Sequence, residues 1–444
     1  MSVKKPHIAI IGGGCAGLSS AAALVEKGFQ VTVFESSPYL GGRARTVSTK
    51  THDLDNGQHI FLGAYHQTIA LLIKAGLSLE QAFLRLPLHI NMQSTQGDVV
   101  FRLKSTHFLP APLHLLAGVL SCKGLSWVDR FSVIKLMLYL KKTNYILVQD
   151  LPLNDFLKAQ KQSKKLINLL WEPLCLAALN TPIEIASSQT FLHVLGDSFS
   201  NNKSDSDFLL PRMDLSQIIA EPLARYIEDK GGAVLVGQTI LNLHVKKNSL
   251  GEHEFDLNTS HSKYNFSHVV IATAPNHVAK LIQNLPLLDE ISKVTKSYQY
   301  QPICTIYLQY AAHIQLPHVI SGLNNCMGQW VFDRGQLCGQ LGLISVVVSA
   351  SGKHQQLTQQ QLAISVAQEL SLAFPQLPKP LWHKVISEKR ATFSCNVMLT
   401  RPSNKTLQPN LYLAGDYTYA NYPASIEGAI RSGLLCAELI AKGN

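Results

Sequence analysis

A strand, a tight glycine turn, a helix and a second strand follow one another at the N-terminus, and few folds accommodate that order. Val3–Ile11 reads as a buried parallel strand, and Gly12-Gly13-Gly14-Cys15-Ala16-Gly17 supplies a G-x-G-x-x-G turn. The alanine-rich Leu18–Lys27 predicts a helix, and Gln30–Glu35 a second strand. The spacing has a physical purpose. Gly12 permits the sharp turn, Gly14 lets the backbone approach a pyrophosphate, and Gly17 lets helix and strand pack closely. A pyrophosphate there sits on unpaired N–H groups at a helix N-terminus, where the dipole favours negative charge. Glu35 lies 18 residues after Gly17, at the end of the second strand, placed to accept hydrogen bonds from a ribose. A carboxylate at that position argues against a phosphorylated ribose.

Similar signals recur far along the chain. Asp214–Lys230 carries Leu215, Ile218, Ile219, Leu223 and Ile227 at helical spacing, and Ala233–Val236 and His268–Thr273 read as strands. Asn410–Gly415 reads as another strand, with a helix from Ser425 to about Lys442. The expected fold is therefore α/β: a discontinuous Rossmann-like domain from residues 1–75, 211–280 and 385–444. A mixed α+β region from 76–210 and 281–384 would complete the chain, its first part mainly helical. At 444 residues, more than one domain is the prior. The polar stretch Ser200–Asp207 reads as a surface loop between the two regions.

Composition narrows the setting. A 46% hydrophobic and 15% charged chain has a well-buried core and little disorder. The net charge of +10 suits an anionic membrane surface or an acidic ligand. No basic stripe interleaved with aromatics points to nucleic acid. The eight cysteines form neither a C-x-x-C pair nor a disulfide or metal spacing, so a reducing cytoplasm is expected. The first strand begins so early that no secretion signal fits before it. Ser105–Cys122 is free of charge for 18 residues but carries Pro110, Pro112, His107 and His114, so it does not read as a span. Together with Phe131–Leu140 and the flanking Lys141-Lys142, it reads either as helical core or as an element of the membrane interface, peripheral at the inner face.

After Glu35 come Gly41-Gly42-Arg43-Ala44, whose exposed N–H groups and guanidinium suit an extended anionic cofactor. Near the other end, Leu413-Ala414-Gly415-Asp416 closes a strand, and Pro423-Ala424-Ser425-Ile426-Glu427-Gly428 opens a helix. That helix N-terminus can stabilise negative charge on a reduced isoalloxazine, although Ser425 is equally a plain N-cap. These blocks resemble the FAD-dependent amine oxidase and phytoene desaturase superfamily from end to end. Leu54-Asp55-Asn56-Gly57-Gln58-His59, Trp171-Glu172-Pro173-Leu174, Ala177-Ala178-Leu179-Asn180-Thr181-Pro182, Trp330-Val331-Phe332-Asp333-Arg334 and Ala414-Gly415-Asp416-Tyr417-Thr418 narrow it. With them the chain is similar to the hydroxysqualene dehydroxylases, also described as squalene-associated FAD-dependent desaturases.

The resemblance implies an amine-oxidase-like fold and FAD as cofactor. Gly12, Gly14, Ala16 and Gly17 would hold the pyrophosphate, Glu35 the adenosine ribose, and Gly42 and Arg43 would lie along the phosphates. Gly57, Gln58 and His59 would pass the isoalloxazine face, the Ile240 backbone would meet the adenine, and Gly415, Asp416 and Ile426 would close the flavin end. It implies reduction of hydroxysqualene, an allylic C30 alcohol, to squalene with loss of water in squalene and hopanoid synthesis. Ionisation of the C–O bond would need a proton donor, for which His59 and Asp55 stand nearest, and hydride from reduced flavin. No second nicotinamide turn is apparent, so an external electron donor is expected, and oligomeric state is not legible. Two alternatives share the motifs: a phytoene-type desaturase running hydride the other way, and a non-enzymatic prenyl-lipid carrier like the guanine-nucleotide dissociation inhibitors. The Gly42-Arg43 and Gly415-Asp416 features favour a working FAD site over the carrier.

Overall fold

The computed structural model describes residues 6–48, 53–106, 108–199, 202–260, 262–420 and 422–443. Its first half comprises β1 (His7–Ile11), α1 (Cys15–Glu26), β2 (Gln30–Phe34), β3 (Ala233–Leu235), β4 (His268–Ile271), β5 (Leu411–Leu413) and α2 (Ile426–Gly443). The strands form one sheet in the order β3-β2-β1-β4-β5, every pairing parallel. Such a sheet needs both faces covered, which is why its strands are apolar runs rather than alternating ones. Ile8 and Ile10 pack with Leu18, Ala21 and Val25 of α1 and with Ile430 and Ala437 of α2. Ala9 and Ile11, on the other face, belong to a core with Phe255, Leu257 and Phe266 of a three-stranded antiparallel sheet. Each isoleucine removed from water in this way contributes roughly 1.5–3 kcal/mol. The expected strand Val3–Ile11 is described from His7 onward, and Val3–Lys5 lie outside the described residues.

A seven-stranded sheet dominates the second half. Its order is Trp382–Phe393, Tyr300–Gln309, Leu343–Ser349, Trp330–Asp333, Ile320–Leu323, His89–Gln93 and Val99–Lys104. One face, with Ile306, Val331, Val346 and Val348, packs on Leu362, Val366 and Leu370 of the helix Gln359–Ala373. The opposite face looks toward the parallel sheet and carries Ile303, Trp330, Phe332 and Val347 into the space between the halves. That division follows from the period of two along each strand.

Four sequence expectations change on the structure. The boundary at 384/385 falls inside the strand Trp382–Phe393, which pairs along its length with Tyr300–Gln309 and so belongs to the seven-stranded sheet. The region 76–210 is mainly helical between residues 113 and 206 but contributes Phe83–Leu86, paired with Phe208–Pro211, to a small sheet and a hairpin, His89–Gln93 with Val99–Lys104, to the large one. The helix expected over Asp214–Lys230 is a π turn, Ser216–Ala220, followed by an α-helix, Glu221–Asp229. Pro222 has no N–H for the regular ladder, and a widened turn accommodates the gap. Ile167–Trp171 repeats this arrangement before Glu172-Pro173. Finally, Asp205 and Ser206 of the expected surface loop are buried, because Asp205 accepts from His66 Nε2 at 2.8 Å and Ser206 Oγ pairs with His114 Nε2 at 3.1 Å.

Candidate active site

Between the two sheets lies a cavity of about 620 Å³. Gly12, Gly14, Ala16, Glu35, Gly42, Arg43, Gly57, Gln58, His59, Ile240, Gly415, Asp416 and Ile426, drawn from three distant stretches of chain, all line it. Gly17 does not. A side chain at Gly17 would collide with the Gly12 carbonyl and Ala272, so its part is the close packing of α1 against the strand. Gly12 has φ +118°, and a Cβ there would stand 2.6 Å from the Ala272 oxygen.

The walls near α1 suit a pyrophosphate. The Gly41 N–H donates to the Gly13 carbonyl at 2.8 Å, lacing the two glycine loops together. Across the gap a Cβ at Gly42 would lie only 3.4 Å from Gly14 Cα, so backbone alone bounds the cradle. The N-terminus of α1 has no side-chain cap and no acid in its first turn, which leaves its N–H groups to an anion. Glu35 is held rigidly: Oε2 accepts from Gly13 N–H at 2.7 Å and Oε1 from Ser37 N–H at 2.8 Å. The Glu35 carbonyl accepts from Gln238 N–H at 2.8 Å, which brings the chain after β3, with Ile240, to the same end.

Arg43 departs from the simple expectation of a phosphate fork. Nη2 pairs with Asp416 at 2.7 Å and Nη1 donates to the Ala391 carbonyl at 2.8 Å, so the guanidinium ties the loop to β5 and to the large sheet. At the other end, Ser425 Oγ accepts from Gly428 N–H at 3.1 Å and caps α2. Burial pushes the Cys15 thiol, beside the cradle, up to about 12, which makes it a packing residue rather than a nucleophile.

The Asp55–His59 loop separates into different roles. Asp55 is 2% exposed and does not line the cavity. Its Oδ1 accepts from Leu215 N–H at 3.0 Å and Thr46 Oγ at 3.3 Å, and its carbonyl accepts from Tyr307 OH at 3.0 Å. Burial raises its pKa, but a carboxyl that cannot reach the cavity cannot protonate a substrate there. His59 lines the cavity, and its Nδ1 lies 2.9 Å from the Gly57 carbonyl, an acceptor that fixes the proton on Nδ1. Burial lowers the His59 pKa, with the Arg43 charge acting in the same sense, so Nε2 is an acceptor near neutral pH. Neither residue is a resting proton donor.

Gln58 is held in place from behind. Arg334, 4% exposed, directs Nη1 at Gln58 Oε1 at 2.7 Å, and Ser345 Oγ adds a second bond to that oxygen at 3.3 Å. A guanidinium can only donate, so it is the Gln58 amide oxygen and not the NH₂ group that faces Arg334. Arg334 is fixed in turn by Gln340 Oε1 and lies 5.7 Å from the centre of the Tyr307 ring. The motif around Arg334 carries no local sign of this contact, because its partner is 276 residues away. The same holds for Asn180, whose partners are also distant in sequence. Its φ is +46°, it ends the helix Glu172–Leu179, and it bonds Thr392 Oγ at 2.9 Å and Ala350 N–H at 2.6 Å, anchoring that helix to the large sheet. Leu176, Ala177 and Ala178 then complete an apolar wall with Ile303, Trp330 and Phe332.

An uncapped helix behind a glycine cradle, a fixed acid at the end of β2 and an apolar chamber fit an FAD-dependent oxidoreductase. Residues 15–441 match the model for flavin-containing amine oxidoreductases, and the chain belongs to that family. It is 26% identical to hydroxysqualene dehydroxylases of Zymomonas mobilis (97% of this chain, 98% of the relative) and of Rhodopseudomonas palustris (97% and 97%). A 15-cis-phytoene desaturase of Solanum lycopersicum is 24% identical over 99% of this chain and 78% of its own. Among solved structures, an oxidoreductase from Methanosarcina mazei aligns with TM-score 0.75 at 17% identity, covering 97% of this chain and 100% of that one. Cyclohexylamine oxidase from Brevibacterium oxydans aligns at 0.72 and 16%, covering 99% of each chain.

Proposed function

We propose that this enzyme reduces hydroxysqualene to squalene, releasing water, in isoprenoid synthesis leading to squalene and hopanoids. The observation that carries the reading is a cavity with two unlike linings: a backbone cradle suited to FAD, and the apolar side chains of Ile303, Trp330, Phe332 and Leu176 suited to a hydrocarbon. Correspondence with two hydroxysqualene dehydroxylases over nearly the whole chain supports it. Bound FAD supplies hydride transfer. The substrate gains that hydride and one proton and loses water, with the electrons arriving from an external donor. The protein contributes a fixed hydrogen-bond donor, the Gln58 NH₂ group, for the leaving oxygen, and a neutral His59 that puts no competing charge beside a developing allylic cation. Gln58 is uncharged, so it binds the oxygen rather than protonating it, and the proton comes from solvent. The apolar wall excludes further water from the cation.

A phytoene-type desaturase is the second reading, favoured by alignment of 99% of this chain with 78% of the Solanum lycopersicum enzyme. Anaerobic addition of hydroxysqualene to the dithionite-reduced holoenzyme separates the two. Flavin reoxidation with stoichiometric squalene is the expected result. No reoxidation, together with reduction of the oxidised enzyme by a polyprene, would replace the dehydroxylase reading with the desaturase one. Because substrate and product are nearly insoluble in water, the enzyme is placed at the inner face of the membrane. Among the described residues no helix is long and apolar enough to cross one.

A further inference from the structure

The helix Trp127–Lys142 has two faces of opposite habit. Val133, Leu136 and Leu140 enter the protein core. The outward face carries Val128, Phe131, Lys135, Leu138 and Lys142, all exposed, at steps of three and four residues. That spacing places them on one stripe in which apolar side chains alternate with lysines. Val128 is 78% exposed, Phe131 60% and Leu138 64%. A soluble surface does not ordinarily concentrate such residues on one helix.

The surroundings add charge of one sign. Residues 99–170 hold eleven Lys and Arg against three Asp, a net +8 of the chain's +10. Ten of those eleven cations are exposed, Arg130 being half-buried. Two of the three acids are engaged internally: Asp129 with Ser126 and Ser163 at 2.7 Å each, and Asp150 with Ser187 at 2.8 Å. Hydrogen bonds hold these segments to the helix. Arg130 donates to the Leu120 and Cys122 carbonyls at 2.7 and 2.6 Å, joining the preceding helix, Leu113–Ser121, to it. Gln162 donates to the Ser132 carbonyl at 3.1 Å, which sets the basic turn containing Lys161, Lys164 and Lys165 beside it. Trp127, 61% exposed, stacks under Arg130 at 4.5 Å, an amphipathic ring of the kind that favours a headgroup boundary.

We propose that this face docks on an anionic phospholipid surface, with the stripe of Trp127–Lys142 lying in the plane of the interface. The apolar side chains enter the headgroup boundary while Lys135 and Lys142 meet lipid phosphates. An acidic protein would satisfy the cations but leave Val128, Phe131 and Leu138 without apolar cover. A second copy of the chain would bring this strongly cationic surface against itself. The inference stands on surface chemistry and does not depend on the substrate assignment.

The test is flotation of the FAD-loaded protein with vesicles of phosphatidylcholine alone or mixed with phosphatidylglycerol, at low and high salt. Binding is expected only with the anionic mixture and should weaken as salt screens it. Two variants separate the contributions: Lys135→Gln/Lys142→Gln, and Val128→Ser/Phe131→Ser. The lysine pair should lower vesicle partition about thirtyfold, and the apolar pair should abolish flotation at high salt. Flavin absorbance and melting temperature should stay at the native values in both, since these side chains are exposed. Failure of the native protein to float with anionic vesicles at low salt would overturn the proposal. So would unchanged flotation of both variants, or a native dimer that either variant dissociates.

Discussion

His59 illustrates how one carbonyl sets the chemistry of a side chain. Burial depresses the pKa by more than the Nδ1–H bond to the Gly57 carbonyl raises it, so the imidazole stays neutral above its ordinary value of 6.5. The sign of the linkage follows. Below pH 6.5 the unfolded chain takes up a proton that the folded one resists, so this group's contribution to stability falls as pH falls. NMR of carbon-labelled histidine should show a midpoint for His59 below 6.5, and a midpoint above it would contradict the assignment. Since a general acid contributes roughly 10²–10⁴-fold, His59→Gln with FAD bound should keep its single-turnover rate within about tenfold. Arg334→Met should be the more damaging change. It removes the group that orients Gln58, and loss of a charge-assisted bond, about 1.5–3 kcal/mol, corresponds to roughly 10–100-fold in rate. The flavin spectrum should be preserved and Arg334→Lys should restore part of the activity; an unaltered rate in Arg334→Met would refute the positioning role.

At the scale of elements, much was legible because periodicity and turn chemistry are local. β1, α1, β2, β4 and α2 all follow from runs of a few residues whose spacing answers to one helix or strand. The signals failed where a partner far along the chain decides. The strand Trp382–Phe393 carries several charged residues and reads weakly alone, yet it pairs along its length with the apolar Tyr300–Gln309. Glu427 is the sharpest case. It is 0% exposed, and it accepts from Gln67 N–H at 3.2 Å, Thr68 N–H at 2.9 Å and Thr68 Oγ at 2.6 Å. It thereby caps the helix His66–Lys74, which lacks a cap of its own, and pairs with Arg431 at 2.7 Å. Glu427→Gln replaces a charged acceptor with an amide and leaves Arg431 with Asp197 alone. Denaturant unfolding of the holoenzyme should show a loss of about 3 kcal/mol. A change below roughly 0.5 kcal/mol would show that the cap is dispensable.

Over the whole molecule, the cavity is assembled from pieces that never meet in sequence. Most residues expected to hold a cofactor meet in that cavity, because glycine turns and strand-ending acids are recognisable from their own spacing. The opposite wall was not, since Trp330, Phe332, Val347 and Ile303 are indistinguishable in sequence from ordinary core. What separates them is which face of a strand points at the cavity, and that depends on register between strands. The +10 total is another quantity whose meaning is spatial: a sum over the chain says little until most of it is found around one helix.

The place of α2 bears on how the chain matures during synthesis. Its Ile430 and Ala437 cover the same core as Leu18 and Ala21 of α1, although more than 400 residues separate the two helices. Until β5 and α2 leave the ribosome, one side of the N-terminal strand–turn–helix has nothing to lie against, and hydrophobic surface stays open to chaperones. Ribosome-stalled chains ending before Leu411 should therefore be cut by protease within α1, and chains extended beyond Gly443 by a linker should resist. Equal resistance in both would mean that the early half matures without its late partner.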